Sequence, residues 1–227
     1  MNPLFFGTLG AAALCYSVVP TYGSKLVHRL RRPQENRTLY LTFDDGPDPV
    51  YTPQLLDLLA AHNVRASFFV VAQTAQRHPA LIARMQRDGH LVGLHALRHR
   101  SGMLQPPAET CRDLRRAVCI LQQLGAPARY YRAPWGHWNL ACLAALRRRS
   151  LTPVLWDVMA EDWRGDTTAD EIAQKLRRRT RGGDILCLHD GRGANGAPAR
   201  TIAALRAVLP DWKRAGFRFD TVNHYGT

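Results

Sequence analysis

Two adjacent aspartates and two histidines have the types and spacing that metal-assisted hydrolysis needs. His95 and His99 stand four apart, separated by Ala96, Leu97 and Arg98. On a helical turn that spacing puts both rings on one side, able to grip a single cation. Asp44 and Asp45 follow one another in Thr42-Phe43-Asp44-Asp45-Gly46-Pro47. Two histidines plus one carboxylate form a recurring open metal site; zinc fits it, and iron, cobalt and nickel accept the same donors. Successive side chains diverge at a strand end. One aspartate can therefore hold the ion while its neighbour faces the bound water and takes its proton during attack. The spacing leaves open which does which. Alone, Asp-Asp-Gly-Pro reads as an ordinary turn; the histidines lift it above that.

These residues need a frame. Short branched or aromatic runs at 38–43, 66–71, 91–94, 130–131, 153–156, 184–188 and 218–222 read as strands. Helical patterns fill the intervals, at 51–62, 79–88, 108–124, 140–149, 169–179 and 200–214. About seven β/α units without a repeat or low-complexity linker imply one α/β domain, a parallel sheet covered by helices, either open or closed into a barrel. In such folds chemistry sits at the carboxyl ends of the strands. The polar residues obey that rule: Asp44 and Asp45 follow the first strand, His95 and His99 the third, Arg132 the fourth, Asp162 the fifth, and His189 with Asp190 the sixth.

In this order, Thr42-Phe43-Asp44-Asp45-Gly46-Pro47, His95-x-x-x-His99, Arg132-Ala133-Pro134-Trp135-Gly136, Asp162-Trp163 and His189-Asp190-Gly191 resemble the polysaccharide deacetylases. These are carbohydrate esterase family four, the nodulation-type chitooligosaccharide deacetylase domain. The resemblance covers residues 38–222 and implies a distorted (β/α) barrel of seven strands. It implies Asp45, His95 and His99 as metal ligands, Asp44 as general base and Arg132 as the residue that positions it. It implies His189 as the acid that protonates the leaving amine, with Asp162 paired to it, and the Trp135 backbone N–H as an oxyanion donor. Trp163 and Cys187 would line the acetyl pocket. The chain departs from the pattern at Ala96 (usually Ser or Thr), Trp135 (usually Tyr or Phe), Met159 (often Asp) and Cys187 (commonly Leu). No ligand or proton-transfer group is among these.

Composition narrows the setting. The chain has 227 residues, 31 Lys and Arg against 18 acidic residues, and a net charge of +13. Such a surface favours polyanions, including an acidic cell-wall polymer. No nucleic-acid module is recognisable, and the runs Arg147-Arg148-Arg149 and Arg177-Arg178-Arg179 end expected helices, where cations complement the dipole. Five cysteines without regular spacing argue against a disulfide framework; Cys111 and Cys119 are expected as small packed residues on one helix. Residues 3–19 are almost wholly apolar and precede Lys25, Arg29, Arg31 and Arg32. We expect residues 1–32 to be an apolar segment, a membrane anchor, plus a basic linker, and residues 33–227 to be the catalytic domain. Basic residues after a span tend to keep the downstream domain cytoplasmic, whereas enzymes of this resemblance act in the envelope, so the membrane face stays open.

The expected function is hydrolysis of N-acetyl groups on a chitin-like or peptidoglycan-like glycan. The same residues would serve an O-acetyl esterase or a small-molecule amidase. A catalytically silent envelope binding protein is the third alternative, and intact Asp44 and His189 argue against it.

Overall fold

Strand β1 (Thr38–Asp44) is the axis of the molecule, with six of its seven residues buried. A parallel strand covered on both faces needs such an unbroken run. Its alternate residues serve two clusters. Leu39, Leu41 and Phe43 join the large core shared with the helices, while Tyr40 joins Phe69, Val154, Ile185 and Val222 in a smaller one. With a period of two, Thr42 and Asp44 lie on the Tyr40 face. The computed structural model describes residues 14–30 and 36–226.

Around β1 run β2 (Ser67–Val70), β3 (Leu91–Leu94), β4 (Tyr130–Tyr131), β5 (Thr152–Pro153), β6 (Val158–Met159) and β7 (Ile185–His189). The order is β5-β4-β3-β2-β1-β7-β6, every pair parallel, and a short β8 (Arg218–Phe219) pairs with β1. Seven parallel strands thus curl into a half-barrel. Strands β5 and β6 are its two edges, and they are not paired with each other. Residues 154–157 cross that seam: Val154 N–H donates to Tyr131 O and Asp157 N–H to Ile185 O.

Eight α-helices among the described residues complete the domain. They are α1 (Val19–Leu30), α2 (Tyr51–Ala61), α3 (Ala72–Arg77), α4 (Pro79–Arg87), α5 (Pro107–Gln123), α6 (Leu140–Arg148), α7 (Ala169–Arg179) and α8 (Ala197–Arg214). Thr168 and Glu171 close a capping box at the start of α7, and Asn139 caps α6. The arginine runs do end α6 and α7.

Residues 72–77, given no element by the sequence, form α3, which is too short to show a period. Three local expectations need correction. The strand expected at 153–156 is instead the two-residue pair β5 and β6, because the intervening chain leaves the β4 side at Val154 and joins the β7 side at Asp157. The strand expected at 218–222 stops at Phe219, and a 3₁₀ turn occupies Val222–His224. Cys119 is exposed, although Cys111 packs on the core; all five cysteines are free.

Of the apolar run 3–19, residues 3–13 lie outside the described residues. Leu14–Val18 form one π-helical turn leading into α1. No helix among the described residues is long and apolar enough to cross a membrane.

Candidate active site and metal centre

The carboxyl ends of β1 and β7 are level, with Asp44 and His189 as register partners. Ile185, Cys187 and His189 share one face of β7, and Ile185 belongs to the small inner cluster. Both strands therefore turn from apolar to reactive along their inner faces, at the mouth of the half-barrel.

Asp45 leaves β1 with φ at 75° and is turned away from Asp44 toward the β3 loop. His95 Nε2 and His99 Nε2 lie 3.5 Å and 3.1 Å from its Oδ1. All three residues are buried or nearly so. The two histidines do not ride a helical turn, as their spacing suggested. Residues 95–99 are a bent loop with Ala96 at φ 69°. The first N–H groups of α3 hold that loop, Ala72 donating to Ala96 O and Gln73 to Leu97 O. These backbone bonds anchor it without the hydroxyl that Ala96 lacks.

The donor set fits a divalent cation on three grounds. His95 Nδ1 lies 2.8 Å from Arg132 O, a contact only an N–H can make, which fixes the ring and leaves Nε2 turned toward Asp45. Burial, the neighbouring His95, Arg192 and His189 hold His99 down at about 3, so its ring is neutral. Asp45 Oδ1 is buried without a hydrogen-bond partner. Burial pushes the Asp45 carboxyl up, the Asp44 charge adds to this, and His95 and His189 oppose it. A cation among the three would reverse that balance.

Asp44 is 3 % exposed. Its Oδ1 accepts from Arg132 Nη1 at 2.9 Å, and the Cys187 thiol lies 3.4 Å from Oδ2. Burial pushes this carboxyl up, but the charges of Arg132, His95 and His189 and the Arg132 hydrogen bond outweigh it, and the net shift is downward. Asp44 is therefore ionised at neutral pH. Arg132 is wholly buried, packed over the Phe69 ring at 4.2 Å, and also donates to Thr42 Oγ1 and Leu155 O. One residue thus fixes the carboxylate with its side chain and orients His95 with its carbonyl.

Across the cleft, His189 Nδ1 lies 2.9 Å from Asp162 Oδ1. Asp162 is fully buried, and its Oδ2 accepts from the His189 backbone N–H and from Thr201 Oγ1. Burial pulls the His189 pKa down, but Asp162, Asp44 and Asp45 outweigh it and lift it to about 9. The ring is a cation at neutral pH, with Nε2 free to give a proton into the cleft. Replacing Asp162 by Asn removes the largest of the opposing charges, so burial prevails and the pKa falls. The alkaline limb of the pH–rate profile should move acidward by about one to three units. A profile that stays in place would refute this pairing.

The cleft encloses about 860 Å³. Trp135, Trp163 and Cys187 all line it, as does Met159. Trp135 and Trp163 are half exposed on the rim, and the Trp135 ring meets His99 edge-on at 4.1 Å. His137 bonds Ser101 and lines a smaller neighbouring cavity.

Sequence reasoning missed Thr201 and the roles of Thr42 and Asp190, which serve the site from below. Thr42 and Thr201 satisfy Arg132 and Asp162, a role visible only once their partners are placed. Asp190 accepts from Thr52 Oγ1 under the Gly46 backbone, and burial pushes its carboxyl up to about 7. Gly191 was part of a motif, but its reason is spatial. A Cβ there would stand 2.6 Å from Asp45 O and 2.9 Å from Gly46 N, both backbone atoms that cannot yield. Gly191→Ala should displace Asp45 and weaken divalent metal binding by about 10–100-fold, as measured by competitive titration.

A family model described as polysaccharide deacetylase matches residues 31–154, more than half of the chain. The chain belongs to the polysaccharide deacetylase family. A chitooligosaccharide deacetylase of Bradyrhizobium sp. is 36% identical to this deacetylase over 191 residues, covering 80% of this chain and 87% of that protein. A solved peptidoglycan N-acetylglucosamine deacetylase superposes with a TM-score of 0.80 at 29% identity, over 85% of this chain and 89% of the other. An acetyl xylan esterase from Clostridium thermocellum, solved with a cobalt ion, superposes with a TM-score of 0.75 at 29% identity, over 83% and 89%. The deacetylase is thus a hydrolase by family, and its α/β half-barrel is the frame its relatives share.

Proposed function

We propose that this deacetylase removes N-acetyl groups from a chitin-like or peptidoglycan-like glycan in the cell envelope, with a divalent metal, zinc first, held by Asp45, His95 and His99. Residues 33–227 form its catalytic domain in this reading. One observation carries it. A buried carboxylate oxygen of Asp45 without a hydrogen-bond partner faces the Nε2 atoms of His95 and His99, in the same cleft as an ionised Asp44 and a protonated His189.

When bound, the metal supplies Lewis acidity toward a water and an acetyl carbonyl. Asp44, held by Arg132, takes a proton from the attacking water as the new C–O bond forms. The backbone N–H of Trp135 donates to the developing oxyanion. His189 gives its Nε2 proton to the amine as the C–N bond breaks, releasing acetate and a free amino sugar. Asp162 stabilises the ring while it is charged. Trp163 and Cys187 bound the acetyl group, and the rim indoles offer faces on which sugar rings stack. The net charge of +13 suits an anionic polymer.

An O-acetyl substrate is the second reading, favoured by the acetyl xylan esterase relative. The test is acetate release by the purified chain with zinc, from chitin oligomers, peptidoglycan fragments and acetylated xylan in parallel. We expect release from an N-acetylated glycan that a chelator abolishes and zinc restores. Release only from xylan would move the activity to esters. Release unaffected by chelator, or none from any substrate, would overturn the reading.

A further inference from the structure

Helix α1 is amphipathic in the wrong direction for a surface helix, which ordinarily buries its apolar face. Its inward side is small and polar. Ser17, Pro20 and Thr21 are buried. Thr21 Oγ1 donates to Trp138 O and accepts from Trp138 N–H. His28 Nε2 meets Asp157 Oδ1 at 3.0 Å, at the barrel seam, and Tyr16 OH donates to Gln105 O in the turn ahead of the helix. These contacts lock the helix to the domain by its polar side.

The outward side is apolar. Val19, Tyr22, Leu26 and Leu30 follow one another at helical spacing and are 56%, 65%, 57% and 76% exposed. Leu14 and Val27 flank them, so six of the eleven exposed large hydrophobics among the described residues lie on this one segment. Two more, Leu104 and Leu140, are chain neighbours of Gln105 and of Trp138-Asn139, where the segment is bonded. Exposed apolar residues are thus concentrated on this segment rather than scattered singly over the surface.

We infer that this face of α1 docks on an anionic lipid surface. The apolar stripe continues in sequence the apolar run 3–19, and the basic residues beside it are exposed: Lys25, which sits 5.5 Å over the Tyr22 ring, and Arg29. Aromatic rings and long cationic stems beside an apolar stripe belong at the headgroup level of a bilayer. A second copy is a poor occupant, because it would bring Lys25 and Arg29 against their own kind on a chain of +13. In this reading α1 lies along the surface; no helix among the described residues is long and apolar enough to cross it. Trp156 lines both the catalytic cleft and the gap beneath α1, so docking holds the cleft close to the lipid.

The test is sedimentation of the full chain with vesicles of phosphatidylcholine alone or mixed with phosphatidylglycerol. The wild type should partition onto the mixed vesicles and more weakly onto the neutral ones. Leu26→Glu with Leu30→Glu should lower partition about tenfold or more, with melting temperature and acetate release from soluble oligomers unchanged. Partition equal to wild type in the double variant would overturn the inference, as would no partition of the wild type. So would a wild-type dimer in solution that the double variant dissociates, which would give the stripe to a second copy. None of these outcomes bears on the catalytic reading, which is scored on soluble substrate.

Discussion

Asp44→Asn is expected to lower acetate release by about 10²–10⁴-fold while the metal stays bound. The substitution is nearly isosteric, and the amide oxygen can still accept from Arg132 Nη1, as Asp44 Oδ1 does at 2.9 Å. What disappears is the negative charge that takes the proton. Asp45, His95 and His99 are untouched, so metal content measured on the purified variant should match the wild type. Loss of both activity and metal would mean that Asp44 helps hold the ion. An unchanged rate would remove Asp44 from the chemistry.

Arg132→Met should produce the largest loss of stability among single changes at the site. Asp44 would keep its burial and lose the guanidinium paired with it. Breaking a buried pair from one side costs about 3–5 kcal/mol. In a domain of this size that lowers the melting temperature by about 6–20 °C. The pH dependence comes from the direction of the Asp44 shift. Its carboxyl is lowered in the folded wild type, so the stability it contributes is present above the unfolded carboxylate range and is lost as pH falls through the lower folded value. The wild type and Arg132→Met should therefore converge in stability in acid and diverge toward neutrality. Parallel curves at all pH values would mean that Arg132 acts through packing on Phe69 and Trp156 alone.

How much of this was legible in the sequence depended on where each residue finds its partners. β1 was readable because a doubly covered parallel strand must be apolar throughout and because its aspartates interrupt the run. The donors of the candidate metal site were readable because each follows a strand end, and the barrel rule sends strand ends to one place. The conformation around His95 and His99 was not, since a four-residue spacing serves a helix or a bent loop equally, and Ala96 at positive φ leaves no mark in residue type. Thr42 and Thr201 were invisible for another reason. A buried threonine is ordinary until Arg132 or Asp162 is placed beside it. The strand expected at 153–156 was misplaced because the chain there leaves one edge of the sheet and joins the other, which no residue pattern marks. The apolar run before α1 was readable as apolar, but which side of α1 meets the domain is set by Trp138, Gln105 and Asp157, all far along the chain.

The unpaired seam between β5 and β6 divides the molecule mechanically. Asp45 hangs from β1 and His95 from β3, which sit within the continuous ladder β3-β2-β1-β7. Trp156 stands on the four residues that bridge the seam, and each edge strand contributes only two residues to the sheet. Deuterium should enter the amides around residues 152–159 well before those of β1, β2 and β7. The cleft wall at Trp156 would then be compliant where the donor frame is stiff. A bulkier substituent on the glycan could be admitted by spreading that wall, with the spacing of the three donors left unchanged.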